Sequence, residues 1–117
     1  MATTWAYLRV STDSQDLSNQ KLLIFDWANR RNIKIDHWLE VAISSRKSQK
    51  DRRIEELLSR IQSGDLLIVS ELSRLGRSTG EVINLVNELV ARNVCLVVVK
   101  QGLELRGDNS QDMGTKV

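Results

Sequence analysis

Leu66-Leu67-Ile68-Val69-Ser70-Glu71-Leu72-Ser73-Arg74-Leu75-Gly76-Arg77-Ser78 is the stretch on which the fold turns. Its first four residues form a short continuous apolar run, as expected of a strand covered on both faces, and Cys95 to Val99 repeats the pattern. The chain then leaves that strand and opens a helix, which aims Arg74 and Arg77, three residues apart, at one place. Two guanidiniums there imply a strongly anionic partner. Gly76 falls where a strand-to-helix turn needs a residue free to take positive φ. Ser78 and Glu81 have the spacing of a capping box. Val82, Ile83, Leu85, Val86, Leu89 and Val90 line the helix that follows.

Working outward, Thr4 to Val10 reads as a first strand, and Arg9 and Ser11 lie two apart, on the same strand face. Asp16 is placed to cap a helix from about Leu17 to Arg31, with Leu17, Ile24 and Ala28 on one face and Leu23 and Trp27 widening it. Ile35 to Ala42 offers a second, weaker strand, and the polar, unpatterned Ser44 to Lys50 reads as a loop. Asp51 caps the next helix, where Ile54, Leu57, Leu58 and Ile61 give an amphipathic pattern ended by Ser63-Gly64. A short edge strand is expected near Leu103 to Leu105. Alternating strands and helices predict an α/β fold with a mainly parallel sheet of about four to five strands and helices on both sides. Open sheets of this kind place ligands at the carboxyl ends of the strands, near the point where strand order reverses. Both arginine-bearing segments fall at such ends.

The 117 residues, 41% hydrophobic and 27% charged, suit one domain with one core. A net charge of +2, from 17 basic and 15 acidic residues, does not announce nucleic-acid binding by itself, so phosphate contacts must come from local clustering. The single cysteine, Cys95, excludes a disulfide framework, fits a reducing cytoplasm and reads as a small core residue. The start Met1-Ala2-Thr3-Thr4-Trp5 has neither a basic leader nor a long apolar segment, and the apolar runs are far short of the roughly 20 residues a bilayer needs. No membrane partner is therefore expected. The tryptophans Trp5, Trp27 and Trp38 read as core or rim packing rather than base-stacking platforms.

Tyr7-Leu8-Arg9-Val10-Ser11-Thr12 and Arg74-Leu75-Gly76-Arg77 together resemble the signatures Tyr-x-Arg-Val-Ser-Thr and Asp-Arg-Leu-Gly-Arg of the serine site-specific recombinases, the resolvase/invertase family, in its catalytic domain. Ser73 stands where many members carry Asp. The resemblance implies a three-layer α/β/α catalytic domain over residues 1–105 with strand order 2-1-3-4. Residues 106–117 would form a tail leading to the start of an interdomain helix, and the family's C-terminal helix-turn-helix domain would be absent from this chain. It also implies that Ser11 is the nucleophile, attacking a DNA phosphodiester to leave the protein joined to a 5′ end. Gln20 falls where the family has a glutamine facing the site, and Arg52 where it has an active-site arginine. The partners implied are DNA, bound weakly without the C-terminal domain, and further copies of the chain, as a dimer and tetramer of the full-length protein. The isolated segment is expected to be inactive alone.

The residues suit that chemistry. Serine attack on a phosphodiester needs charge neutralised on the nonbridging oxygens, and arginines bind phosphate bidentately and stay charged at any working pH. Arg9, Arg74 and Arg77 are the candidates for direct contact, and a cluster of cations favours the alkoxide of Ser11 without a histidine. His37 is the only histidine and sits mid-strand beside Trp38, so a serine-histidine-acid triad is a poor account. No cysteine or histidine pair has metal-ligand spacing and no GxxxxGK[ST] loop is present, so no cofactor is expected. The alternative is a flavodoxin-like phosphate- or nucleotide-binding module using the hydroxyl-rich Ser11 to Ser18. It explains that loop but not the arginines.

Overall fold

In the computed structural model, residues 3–10, 14–42, 55–75 and 78–105 are described. Strand β1 (Thr4–Val10) is followed by helix α1 (Ser14–Arg30) and strand β2 (His37–Ala42). Helix α2, described over residues 55–60, leads to β3 (Leu66–Val69), a 3-10 turn (Leu72–Leu75) and helix α3 (Thr79–Ala91). Strands β4 (Cys95–Val98) and β5 (Leu103–Leu105) complete the order. The sheet runs β2-β1-β3-β4-β5, parallel except for β5, which pairs antiparallel with β4. The expected 2-1-3-4 order holds, and the short run at Leu103 becomes an antiparallel edge.

Each face of the sheet is covered by the residues whose periodicity demanded it. On one side Ile24, with Leu17 and Trp27 of α1, packs on Ala6 and Leu8 of β1, Ile68 of β3 and Val97 of β4. On the other, Leu57 of α2 and Leu85 and Leu89 of α3 meet Tyr7, Leu67, Val69, Leu96 and Val98. The alternation explains why β3 and β4 read as unbroken apolar runs: both faces of these central strands are buried. Cys95 is half-buried against the α1-side cluster, as a small core residue should be. Trp5 is a core residue, 3% exposed, whereas Trp27 is partly buried and Trp38 lies at the exposed rim.

Helix ends follow local chemistry, with one departure. Ser78 is the N-cap of α3 and accepts a hydrogen bond from the Glu81 N–H, as its spacing predicts. Asn32 and Asn93, just past the ends of α1 and α3, take positive φ of 58° and 63°, where asparagine is tolerated. Gly64, with φ 91°, makes the turn into β3 that Ser63-Gly64 forecast. Asp16, however, is not the cap of α1. The helix begins at Ser14, so Asp16 lies within the first turn, where its carboxylate accepts from the Gln20 amide one turn on. The predicted Ser44–Lys50 loop, the Asp51 cap, Ile54 and the turn at Gly76 lie outside the described residues.

At the amino ends of the strands, Asp65 ties the sheet together. It is 4% exposed, and its carboxylate accepts from the N–H groups of Thr3 and Gln62, both at 2.9 Å, and from Trp5 Nε1 at 3.2 Å. His37 stacks on Trp5 at the same end, with ring centroids 4.4 Å apart. Asp65→Ala leaves buried donors without a charged acceptor and is expected to lower unfolding free energy by about 3 kcal/mol. Urea denaturation with an unchanged m-value would measure it.

Candidate active site

The sheet contains one reversal of direction: from β1 the chain moves to β2 on one side, then returns to build β3 and β4 on the other. A crevice is expected at that point, outside the carboxyl ends of β1 and β3. Arg9 occupies the end of β1, and the 3-10 turn carrying Ser73 and Arg74 follows β3. The two arginine-bearing segments, more than sixty residues apart in sequence, are thus adjacent. The link is direct: Arg9 Nη1 lies 3.5 Å from the carbonyl oxygen of Ser73, a long hydrogen bond at the limit of useful geometry.

Arg9 is held by its backbone as much as by its side chain. Thr3 directs its carbonyl to Leu66 at the start of β3, and Thr4 directs its own to Asp36 on the β2 side. Peptide groups alternate along a strand, so Arg9, like Thr3, presents its N–H and C=O toward β3. Among the described residues no strand meets them there. The register with β3 ends at Tyr7 opposite Val69, whereas pairing with β2 continues to Val10 opposite Ala42. Gln20 fills the gap. Its Oε1 accepts from the Arg9 N–H at 3.3 Å, and its Nε2 donates to the Arg9 carbonyl at 2.9 Å. A side-chain amide thus supplies the rung a neighbouring strand would have made. Gln20 is 2% exposed, and its second donor contact is with Asp16 Oδ2 at 3.1 Å.

The 3-10 turn is fixed from the far side by the β4–β5 connection. The Val99 N–H continues the β3–β4 ladder to the Val69 carbonyl at 3.0 Å, and in the turn that follows the Lys100 N–H donates to the Ser70 carbonyl at 2.9 Å. Gln101 Oε1 accepts from the Leu72 N–H at 3.3 Å, and Lys100 Nζ stands 3.7 Å from Glu71. Leu75, 2% exposed, anchors the turn in the core. Ser73, by contrast, is exposed.

Of the sequence candidates, then, Arg9 and Gln20 are brought together, and Arg9 is brought to the backbone of the segment that carries Arg74. The backbone of Arg74 lies in the 3-10 turn. Ser11, Arg52 and Arg77 lie outside the described residues, as does the Arg74 side chain. His37 is at the opposite, amino end of the strands, against Trp5, and takes no part in this site. The sequence reading missed the partnership of Asp16 with Gln20 and the brace from Gln101. The first had a signal, an acid and an amide at i, i+4; the second had none, because Gln101 meets Leu72 only through the sheet. Among the described residues no cluster of His, Cys, Asp and Glu has the makings of a metal site, and no helix is long and apolar enough to cross a membrane.

The sheet order and the two signature segments it joins are those of a catalytic domain of the serine-recombinase type. The family model described as "Resolvase, N terminal domain" matches residues 4–117, and the chain belongs to that family. It is 30% identical over 105 residues to a resolvase of Clostridium perfringens, covering 88% of this chain and 52% of that protein. It is 31% identical over 108 residues to the transposon Tn3 resolvase of Escherichia coli, covering 92% and 55% respectively. The chain therefore spans about half the length of these relatives. A resolvase family site-specific recombinase from Streptococcus pneumoniae shares the fold with a TM-score of 0.69 at 23% identity, over 99% of this chain and 83% of that one. Membership in this family displaces the flavodoxin-like alternative.

Two outcomes follow from the geometry. Gln20→Ala removes both backbone contacts to Arg9 and is expected to lower stability by about 2 kcal/mol, measured by chemical denaturation. Ser73→Asp, on an exposed side chain whose carbonyl makes the contact, is expected to stay within about 0.5 kcal/mol of the unaltered protein in the same measurement.

Proposed function

We propose that this domain carries the cleavage and rejoining centre of a site-specific DNA recombinase, with Ser11 as nucleophile and Arg9, Arg74, Arg77 and Arg52 around the scissile phosphate. The observation that carries this reading is the contact of the Arg9 guanidinium with the Ser73 carbonyl, which joins the two signature segments at the switch point of the sheet. Ser11 follows the strand-ending Val10 directly, so the segment Gln20 steadies delivers the nucleophile.

The chemistry is a transesterification. The Ser11 oxygen forms a bond to phosphorus as the bond from phosphorus to the deoxyribose 3′ oxygen breaks. The serine loses a proton and the departing 3′ oxygen gains one. One phosphodiester is exchanged for another, so bond energy is conserved, and the free 3′ hydroxyl of a second strand can reverse the step. Negative charge builds on the nonbridging oxygens in the transition state, where preorganised guanidiniums are most effective. The role of Gln20 is to position: it keeps the Arg9 backbone from drifting, and a misplacement of about 1 Å at a reacting group is enough to cost about a hundredfold in rate. DNA is the substrate and further copies of the protein are the partners that bring two duplexes together.

The test is a covalent adduct. The full-length protein, incubated with candidate site DNA, is expected to yield a protein–DNA species that survives denaturation. It is expected to vanish in Ser11→Ala and to fall about a hundredfold or more in Arg9→Ala. An adduct that persists in Ser11→Ala would place the nucleophile elsewhere. These 117 residues alone are expected to bind duplex DNA weakly, with affinity falling steeply as salt rises; fluorescence anisotropy across a salt series would show it.

A further inference from the structure

Asp16 is an acidic residue in the first turn of α1, where a carboxylate ordinarily stabilises the helix end and does nothing more. Its geometry points to a second task. We propose that Asp16 is a positioning residue of the candidate site: its carboxylate takes one N–H of the Gln20 amide and so holds the group that stands in for a strand beside Arg9.

A primary amide has two N–H donors and one carbonyl oxygen. Gln20 Nε2 donates to the Arg9 carbonyl at 2.9 Å and to Asp16 Oδ2 at 3.1 Å, while its Oε1 accepts from the Arg9 N–H. At 2% exposure these are the contacts on which the amide depends. An ionised carboxylate only accepts, so it can face the NH2 end of the amide and never the oxygen end. The flipped amide would set its oxygen against the Arg9 carbonyl and its NH2 against the Arg9 N–H. Asp16 and the Arg9 peptide groups thus select the same orientation. The charged acceptor also gives the stronger class of hydrogen bond. The spacing is i to i+4, so the pair is built by α1 itself before the sheet meets it. Asp16 belongs to α1, on the face of the sheet that Ala6 and Leu8 of β1 meet, and its link to Arg9 runs through Gln20. Its influence on the reacting segment passes through the amide and then the backbone.

The consequence for catalysis rests on the recombinase reading, whereas the hold on Arg9 rests on geometry alone, and two measurements separate them. Amide hydrogen exchange at Arg9, followed by NMR in this chain, reads the hold directly. Asp16→Ala is expected to speed exchange at Arg9 about tenfold or more, with Ile68 and Val97 in the central strands unchanged. Asp16→Asn keeps an acceptor oxygen and is expected to return Arg9 to within about threefold of the unaltered protein. In a Gln20→Ala background, Asp16→Ala is expected to add nothing further. In the adduct assay Asp16→Ala should slow Ser11 attachment about tenfold while DNA affinity stays constant. Asp16→Asn as damaging as Asp16→Ala, or an Asp16→Ala effect that persists in full without Gln20, would show that only the helix end is being stabilised and would overturn the proposal. Normal exchange at Arg9 in Asp16→Ala would overturn it equally. Absence of any adduct in the unaltered full-length protein would count against the recombinase reading, leaving the exchange data to decide the role of Asp16.

Discussion

The site depends on a mismatch in strand length. β1 runs beyond the last residue of β3, so the N–H and C=O of Arg9 emerge past the end of the β1–β3 ladder, with no strand among the described residues to receive them. Buried peptide groups left without partners cost about 1–3 kcal/mol each, so a strand end of this kind tends to fray or to find a substitute. Here the substitute is one glutamine amide, held in a single orientation by a carboxylate one helical turn away. The mismatch falls at the switch point of the sheet, where open sheets of this kind place their ligands, and there the Gln20 amide keeps the end of β1 from loosening.

Around this point the molecule is braced from both directions. The amino ends of the strands are tied by Asp65 and packed by Trp5, which accepts stacking from His37 on one side and lies 5.1 Å from the Arg60 guanidinium. The carboxyl end of β3 is tied by Lys100 and Gln101. Arg31 stacks on Trp27 at 4.6 Å and pairs with Glu104 at 3.1 Å, joining the end of α1 to edge strand β5. These exposed pairs are individually worth little. Their value lies in fixing where short elements sit, so that the 3-10 turn presents the Ser73 carbonyl to Arg9 of β1.

Much of this was legible in the residues. The unbroken apolar runs at Leu66 and Cys95, the helical period of Val82 to Val90 and the Ser78–Glu81 spacing fixed the identity of β3, β4 and α3, because burial on both faces and on one helical stripe leave different periods. Arg9 at the end of β1 was readable for the same reason. The role of Asp16 was not. A single acidic residue before an apolar run looks like a cap, and only the true start of the helix at Ser14 turns it into the first-turn partner of Gln20. Gln20 itself, on spacing alone, was indistinguishable from a solvated helix residue.

By itself, then, the sequence determined the alternation of strands and helices, the faces they bury and the two arginine-bearing signatures, since these are properties of local period and local residue type. The tertiary structure decided that β1 outruns β3, that Gln20 replaces the missing rung and that Arg9 reaches the carbonyl of Ser73. These are facts of register between segments far apart in the chain. The hydrophobic period settles which face each residue takes, whereas how far one strand outruns its neighbour, and which side chain fills the gap, is decided by how elements of different lengths pack together.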